Sequence, residues 1–386
     1  MKVRLGDYIE QVRGISYNPT DLRDFLDDNC VPLLRATNIQ DGNINLDNVL
    51  YISKHKVSKK QFLKKGDILI CTSSGSKELV GKAAYIEQDV LMTFGAFCKV
   101  VRPKTNCQKY IGHYFQSPYY RMHISYLSSG ANINNIKNEH IDNLEIPLPP
   151  LDEQRRIAAV LDKVSDLIAK RRAQLDKLDE LVKARFVEMF GDSNYKYHTL
   201  ISLIVEGAGL SYGIVQPGDD GTGDMGVIRP VDLIDGKISM ASIKYIDRAI
   251  SNGFKKTELT GDELLITVRG TTGITALTDK RFKGMNVTRG IAVVRYDRSK
   301  INPIYLNVYL NTDESQHYIQ EHTRGATLQQ INLFDLREQK ILVPPMELQM
   351  QIATFVTKID KTKLTIQQSL DKLEILKKAL MQENFE

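Results

Sequence analysis

Two stretches of the chain carry apolar residues at alternating intervals of three and four positions. This interval is typical of a coiled-coil seam, in which each helix presents one apolar stripe to its partner. Neither stretch contains Gly or Pro, so each is predicted to form one long helix. The predicted seam residues are Ile157, Leu161, Val164, Ile168, Leu175, Leu178 and Val182 in the first stretch, and Ile352, Val356, Ile359, Ile366, Leu370 and Leu373 in the second.

One basic residue interrupts each seam, Arg171 in the first and Lys363 in the second. A helix of about 40 residues spans roughly 60 Å at about 1.5 Å per residue. The second helix can bury its seam by running back along the first, so we expect an antiparallel pair. A single amphipathic helix more often packs against its own domain, but two matched seams of this length favour the pair.

The sequence pattern of the whole chain repeats, because a shift of 194 or 195 residues aligns its two halves. Such internal similarity indicates duplicated structural units. The matched segments are Gly14–Tyr17 with Gly209–Tyr212, Asp41–Gly42 with Asp235–Gly236, Tyr51–Ile52 with Tyr245–Ile246, Gly66–Thr72 with Gly261–Thr267, Gly130–Ile136 with Gly325–Ile331, Pro149–Pro150 with Pro344–Pro345, and Leu175–Leu178 with Leu370–Leu373.

Each repeat begins with short apolar runs, such as Gly66–Thr72 and Phe97–Val101, separated by Gly, Asn and Asp. Such runs predict strands and turns, and a Pro-Pro pair then ends the domain. We therefore predict an α+β fold with two globular domains in tandem, separated by two long antiparallel helices that form a coiled coil. The predicted boundaries are 1–150 and 192–345 for the two domains, and 151–191 and 346–386 for the two helices.

Composition narrows the class of protein. Apolar residues make up 42% of the chain and charged residues 26%, which is an ordinary globular balance. The net charge of +5 suits a polyanionic partner such as nucleic acid. No apolar run approaches the roughly 18 residues that a membrane span needs, and the N-terminus lacks a signal-peptide core. We therefore expect a cytoplasmic protein.

The four cysteines are scattered, with no CxxC pair and no histidine at ligand spacing: Cys30, Cys71, Cys98 and Cys107. They are interpreted as reduced thiols and not as a zinc site or disulfide framework. Gly221–Gly226 matches GxGxxG, but it follows a turn and not a strand, so a loop is the better interpretation. The seven histidines form no HExxH or HxH cluster. We therefore predict neither a catalytic site nor a metal site.

The two repeats differ in side chain at several turn positions, although the flanking segments agree. Small hydroxyls, amides and Arg or Lys are the groups that contact phosphates and base edges. Ser, Asn and Gly are also ordinary turn formers, and both interpretations stay open for each residue. The candidate DNA-binding residues are Ser73, Ser74, Ser76, Lys77, Asn132, Asn134 and Asn135 in the first repeat, and Arg269, Thr271, Thr272, Arg289, Thr327, Gln329 and Gln330 in the second.

Four arginines lie on the first predicted helix: Arg155, Arg156, Arg171 and Arg172. The favoured interpretation is a solvated helix face. The other interpretation is that some contact DNA phosphates or pair with acidic partner helices.

The segment Pro147–Ile157, followed by Leu175–Leu178 and Phe186–Gly191, resembles the conserved region of type I restriction–modification specificity subunits. Gly66–Leu69 and Gly130–Ile136 resemble features of the same family, and the resemblance covers essentially the whole chain in duplicate. The second copy departs from it in having Met346-Glu-Leu-Gln349 and two seam-side threonines, Thr357 and Thr362.

The resemblance implies a non-catalytic subunit of a DNA methyltransferase and restriction endonuclease complex. Each target-recognition domain would read one half of an asymmetric gapped site in double-stranded DNA. The helices would set the spacing and dock two modification subunits, which use S-adenosylmethionine. Restriction subunits would supply translocation and cleavage with ATP and Mg, and this chain itself would bind no cofactor.

Two other functions are compatible with parts of the pattern. A protein-interaction adaptor could use the paired helices to bridge partners without reading bases. A methyltransferase or nuclease active on its own is the third alternative, and the lack of cofactor and metal motifs argues against it.

Overall fold

The computed structural model describes residues 2–76, 78–127, 134–191, 194–218, 221, 223–234, 236–325 and 328–386. The chain divides into two compact units: Met1–Ala173 together with Ile366–Glu386, and Gln174–Thr365. Each unit therefore contains one globular domain together with parts of both long helices. The domain boundaries expected from the sequence stay predictions. In the described residues no helix is both long enough and apolar enough to cross a membrane.

The first unit contains fourteen short strands in its described residues. They are β1 (Lys2–Arg4), β2 (Ile9–Arg13), β3 (Leu22–Arg23), β4 (Cys30–Leu34), β5 (Ile39–Gln40), β6 (Asn43–Ile44), β7 (Leu50–Ser53), β8 (Ile68–Cys71), β9 (Ser73–Ser74), β10 (Ala83–Tyr85), β11 (Thr93–Phe94), β12 (Cys98–Pro103), β13 (Asn134–Asn135) and β14 (Glu145–Pro147). Its helices are α1 (Gln108–Gln116), α2 (Pro118–Leu127), α3 (Asn138–Asp142), the first part of α4 (Leu151–Phe190) and the last part of α8 (Met346–Phe385).

Two four-stranded sheets form the body of this unit. One is antiparallel with strand order β10-β8-β12-β2, and the other, β11-β4-β7-β3, contains one parallel pair. Strand β8 is buried along its whole length. Because side chains alternate between the faces of a strand, Ile68 and Ile70 belong to the core that includes α1 and α2, whereas Leu69 and Cys71 belong to the core between the sheets.

The second unit repeats this plan. Its strands are β15 (Tyr197–Thr199), β16 (Met225–Ile228), β17 (Leu233–Ile234), β18 (Lys237–Ile238), β19 (Lys244–Ile246), β20 (Leu264–Thr267), β21 (Thr275–Leu277), β22 (Asn286–Val287), β23 (Ile291–Val294), β24 (Thr323–Arg324), β25 (Gln330–Ile331) and β26 (Lys340–Leu342). Its helices are α5 (Pro303–Leu310), α6 (Asp313–Glu321), α7 (Leu333–Glu338), the last part of α4 and the first part of α8 (Met346–Phe385).

The sheets of the second unit have the strand orders β21-β20-β23 and β19-β16-β22, again with one parallel pair. They correspond to β10-β8-β12 and to β7-β4-β11 of the first unit. The predicted α+β class and the tandem pseudo-repeat are thus confirmed, and each long helix runs for 40 residues.

Local alignment of the repeats differs from the ungapped match in two places. The sequence alignment pairs Gly14 with Gly209. In the structure the residue equivalent to Gly14 is Gly213. A Cβ on Gly14 would lie 2.1 Å from the Gly95 carbonyl oxygen, and a Cβ on Gly213 would lie 2.0 Å from that of Val287. The next residue donates its backbone N–H to the equivalent strand in each unit, Ile15 to Phe94 and Ile214 to Val287. The absence of a side chain on the glycine permits this close approach.

The second difference is one additional residue before β20. Asp67 is buried and forms two hydrogen bonds with Arg102, at 2.7 and 2.8 Å. The structure places Glu263, and not Asp262, in the equivalent position, where it is buried 3.7 Å from Arg295. Asp67 accepts the backbone N–H of Lys64, as Glu263 accepts that of Thr260. Asp67 is therefore structurally equivalent to Glu263, and the turn before β20 is one residue longer than the turn before β8.

The ends of the long helices complete the two cores. In the first unit Phe385, near the end of α8, lies 5.2 Å from the Tyr110 ring and 5.8 Å from the Tyr114 ring, between ring centroids. In the second unit Phe190, at the end of α4, lies 5.5 Å from Tyr305. We call these two arrangements the aromatic sockets. Each domain therefore accepts the helix end that belongs to the other sequence repeat.

We predict that Phe385→Ala destabilises the first unit by about 3–5 kcal/mol, because it removes a fully buried ring. Hydrogen exchange should accelerate around Tyr110 and Tyr114, whereas the second unit should be little affected. Ile375→Ala is the control on the same helix, since Ile375 is 70% exposed. Equal effects of the two substitutions on exchange would show that the socket does not hold the first core together.

Candidate nucleic-acid interface

Two candidate segments that are distant in the sequence lie side by side in the first unit. Strand β9 pairs with β13, so that Asn134 is opposite Ser74 and Asn135 is opposite Ser73. A third segment joins them, because Thr72 and Ser73 both donate their backbone N–H to the Phe97 carbonyl, at 2.8 and 3.2 Å. Three chain segments thus converge at one edge of the domain.

The second unit brings together the equivalent segments. Arg269 forms an isolated bridge with Gln330, and the Gly270 N–H donates to the Gln329 carbonyl at 2.8 Å. The Val268 N–H donates to the Gly290 carbonyl, also at 2.8 Å. Since Gly290 directly follows Arg289, this candidate too belongs to the converging segments.

The described candidate side chains all reach the surface to some degree. Ser76, Asn135, Thr271, Arg289 and Gln329 are exposed, and Ser73, Ser74, Arg269, Thr272 and Gln330 are half-buried. Within the part of the chain that the structure describes, neither Arg269 nor Arg289 forms an ion pair or side-chain hydrogen bond. Both guanidinium groups are therefore available to an external partner.

Two candidates have local roles that fit the turn-former interpretation. Ser74 Oγ accepts the Ser76 backbone N–H at 3.1 Å, and the Thr272 hydroxyl pairs with that of Thr323 at 3.0 Å. Three further candidates, Lys77, Asn132 and Thr327, lie outside the described residues. For Asn134 only the backbone pairing in β13 is described. Assignment of individual DNA contacts therefore stays a prediction.

A cleft of about 450 Å³ lies beside the converging segments of the first unit. Its lining combines aromatic and apolar side chains with hydroxyls and one charged residue. The lining residues are Tyr17, Arg35, Ala36, Thr37, Ser73, Ser74, Gly75, Leu79, Gly95, Phe97 and Cys98.

Sequence reasoning did not identify Arg35, Tyr17 or Phe97 as candidates. Phe97 begins an apolar run that predicts a strand, and yet it is 66% exposed. Its position at the start of this run, two residues after Gly95, is the sequence signal that could have placed it at a turn. The position of Arg35 depends on sheet pairing, which the sequence pattern does not reveal.

The predicted seam residues differ in their burial along the two long helices. Seven of them are buried, namely Ile157, Leu161, Val164, Ile168, Ile352, Val356 and Leu370. The remaining seam residues are half-buried, namely Leu175, Leu178, Val182, Ile359, Ile366 and Leu373.

Ion pairs join the helices within each unit. In the first unit Arg172 of α4 bonds to Glu374 of α8 at 2.9 Å. In the second unit Lys363, the interruption of the second seam, bonds to Asp179 at 2.6 Å. The first unit pairs the start of α4 with the end of α8, and the second pairs the end of α4 with the start of α8. This antiparallel order confirms the prediction.

The departures of the second repeat do not disturb the start of α8. Gln154 and Gln349 both donate to the carbonyl of the first proline of their Pro-Pro pair, at 2.8 Å in each case. Thr357 and Thr362 bond to carbonyls of their own helix. They therefore place no unpaired hydroxyl in the seam.

The helix arginines are mostly paired within the chain. Arg155 and Arg156 contact Asp152 and Glu153 on the same helix, at 3.5 and 2.6 Å. The hydrogen bond and the negative charge of Glu153 raise the pKa of Arg156. These partly exposed pairs fit the solvated-face interpretation.

Metal-ligand clusters and thiols were the two other kinds of chemistry considered from the sequence. No group of three or more His, Cys, Asp or Glu in the described residues is placed to hold a metal ion. All four cysteines are buried and free, and burial raises the pKa of Cys71 to about 11. The thiols are core groups.

Comparison with known families decides the identity. The family model described as "Type I restriction modification DNA specificity domain" matches residues 1–178 and 222–375. The chain belongs to this family. The two matched regions correspond to the two halves of the tandem repeat.

Among named relatives of this specificity-domain family, the EcoKI specificity subunit of Escherichia coli (strain K12) is 28% identical over 372 residues, covering 90% of this chain and 79% of the relative. The StySPI specificity subunit of Salmonella potsdam is 29% identical over 371 residues, with the same two coverages. Nothing in these comparisons favours the adaptor alternative. This chain is accordingly the DNA sequence-specificity subunit of a type I restriction–modification system.

Solved specificity-subunit structures show the same fold. The S subunit of the type I restriction–modification system from M. genitalium has a TM-score of 0.56 and 13% identity, covering 100% of this chain and 96% of that one. A chain from a structure on complex assembly and conformational transition of the type I R-M system has a TM-score of 0.54 and 18% identity, covering 100% and 97%.

Proposed function

We propose that each recognition domain of this specificity subunit reads one half of an asymmetric, gapped site in double-stranded DNA. The observation that carries the proposal is that three equivalent segments converge at one edge of each domain. The side chains that these segments present differ between the two domains. Ser73 corresponds to Arg269, and Asn135 corresponds to Gln330. Amides and Arg form specific contacts with base edges, so the two domains would prefer different bases.

We propose that the helix pair sets the spacing between the half-sites and docks two modification subunits. Support comes from the continuity of each helix over 40 residues and from apolar side chains that the seams leave exposed. These are Val160, Leu167, Leu181, Val187, Leu364, Ile375 and Leu376. Leu181 and Leu376 are equivalent in the two repeats, and each is 46% exposed. One such position per repeat suits two copies of one partner.

The chemistry of the complete enzyme is assigned to its partners. Modification subunits would methylate adenine with S-adenosylmethionine, and restriction subunits would use ATP and Mg to translocate and cleave DNA. The specificity subunit would be non-catalytic and would bind none of these cofactors. The complex would act in the cytoplasm, where its DNA substrate is found.

Substitution of the converging segments should change one half-site at a time. Arg269→Ala with Gln330→Ala should weaken discrimination in the second half-site by about 5- to 150-fold per lost base contact, and the first half-site should be unchanged. Ser73→Ala with Asn135→Ala should give the reverse. The measurement is a mobility-shift competition between gapped duplexes, with the specificity and modification subunits present.

The control is Gln368→Ala, at an exposed position of α8 that lies outside both predicted domains in the sequence. If both pairs of substitutions left discrimination intact, the converging segments would not be the reading surfaces. If the unaltered complex showed no preference for any gapped duplex, the result would contradict the proposed function itself.

Assembly should depend on Leu181 and Leu376. A charged side chain would be costly to bury in an apolar interface, so Leu181→Asp should release one modification subunit and the double variant with Leu376→Asp should release both. Native mass spectrometry of the complex measures the stoichiometry. Unchanged stoichiometry in the double variant, with an unchanged melting temperature, would place the docking surface elsewhere.

A further inference from the structure

Two arginines occupy equivalent positions in the two units. Arg35 directly precedes a short 3-10 helix, Ala36–Asn38, and Arg229 directly precedes Pro230–Asp232. Each donates from Nη2 to a backbone carbonyl, Arg35 to that of Asn48 at 3.0 Å and Arg229 to that of Ser242. The two arginines therefore occupy equivalent places in their domains.

The residue three positions later differs between the units. In the second unit, fully buried Asp232 accepts from Arg229 Nε at 3.1 Å and from Nη2 at 3.0 Å. It also accepts the Ser242 hydroxyl at 2.8 Å. The charge of Arg229 is thus neutralised inside the domain.

In the first unit Asn38 takes the place of this aspartate. Its amide oxygen accepts the Arg35 backbone N–H, and its amide nitrogen donates to the Asn45 carbonyl, both at 2.9 Å. The Nε of Arg35 is buried and has no hydrogen-bond partner, and in the described residues no carboxylate forms an ion pair with its guanidinium. An unpaired buried donor on a charged group is uncommon in folded proteins.

Arg35 is also the one charged residue in the described lining of the cleft beside the converging segments. The other walls include Tyr17, Leu79 and exposed Phe97. Flat apolar walls around a planar donor group suit the edge of a base pair. A phosphate, which keeps much of its hydration, is better served by exposed basic side chains.

We propose that Arg35 is a specificity-determining residue of the first domain and that its guanidinium donates to N7 and O6 of a guanine. Arg–guanine pairing is the commonest specific contact to a base edge. Phe97 would contact the neighbouring base through its exposed ring. The inference rests on the proposed reading of a half-site by this domain, and Arg229 takes no such role because Asp232 already holds it.

The test introduces at position 38 of the first domain the carboxylate that the second domain has at Asp232. Asn38→Asp should pair with Arg35 and relax selection at one guanine position of one half-site, by tenfold or more in relative methylation rate. Arg35→Gln should relax the same position. Sequencing of methylated sites, with the complete modification complex acting on genomic DNA, measures both half-sites in one experiment.

Asn43→Asp is the matched control, because it introduces the same charge at an exposed strand position outside the cleft lining. It should leave the recognised sequence unchanged. Melting temperatures of all variants establish that they fold. If Asn38→Asp does not fold, Arg35→Gln still tests the inference.

Two outcomes would overturn the inference while leaving the proposed function intact. One is an unchanged methylated sequence in Arg35→Gln. The other is a uniform loss of binding to all sequences, with the salt dependence reduced by about one phosphate contact. If the unaltered complex methylated no two-part sequence at all, the proposed function would fail first, and the inference with it.

Discussion

Both cores depend on an aromatic residue that arrives at the end of a long helix. Phe385 fills the socket formed by Tyr110 and Tyr114, and Phe190 fills the one formed with Tyr305. The tyrosine at the base of each socket is fixed in the same way, since the hydroxyls of Tyr110 and Tyr305 donate to the carbonyls of Pro147 and Leu342, at 2.8 and 2.7 Å. Because the helix end comes from the other repeat, neither core is complete until both helices are in place.

Burial varies along the seams, and some seam residues also belong to the two cores. Seam residues near the sockets are covered by a domain as well as by the other helix, so Leu161 and Ile352 are almost fully buried. Leu175 and Ile366 belong to neither core and are half-buried. Lys363 and Asp179 form an ion pair between the two helices of the second unit, and such a partly exposed pair contributes less than about 1 kcal/mol. The sockets therefore matter more to stability than the middle of the seam.

Patterns with a short period were predictable from the sequence, whereas contacts between distant segments were not. The heptads predicted both 40-residue helices, and the repeat predicted two equivalent domains. The ungapped alignment nevertheless misplaced Gly213 by four residues and Glu263 by one, because a short insertion leaves the apolar pattern of a short strand unchanged. Asn38 and Asp232 each lie three residues after their arginine, so this contrast is present in the aligned sequences. The sequence did not show that Arg35 lines a cleft with distant residues such as Ser73 and Phe97.

In the proposed function, the specificity subunit is a duplicated DNA reader in which the scaffold is repeated and the reading surface differs between the two domains. The central claim is that the paired helices determine the spacing of the two half-sites. The most direct test inserts one heptad into each helix, after Ala173 and after Thr365, which lengthens each by about 10 Å and preserves the seam register. Binding is then measured on duplexes that differ only in the length of the gap. The preferred gap should increase by about three base pairs, at about 3.4 Å each. An unchanged preference, in a complex that still assembles and binds, would contradict the account.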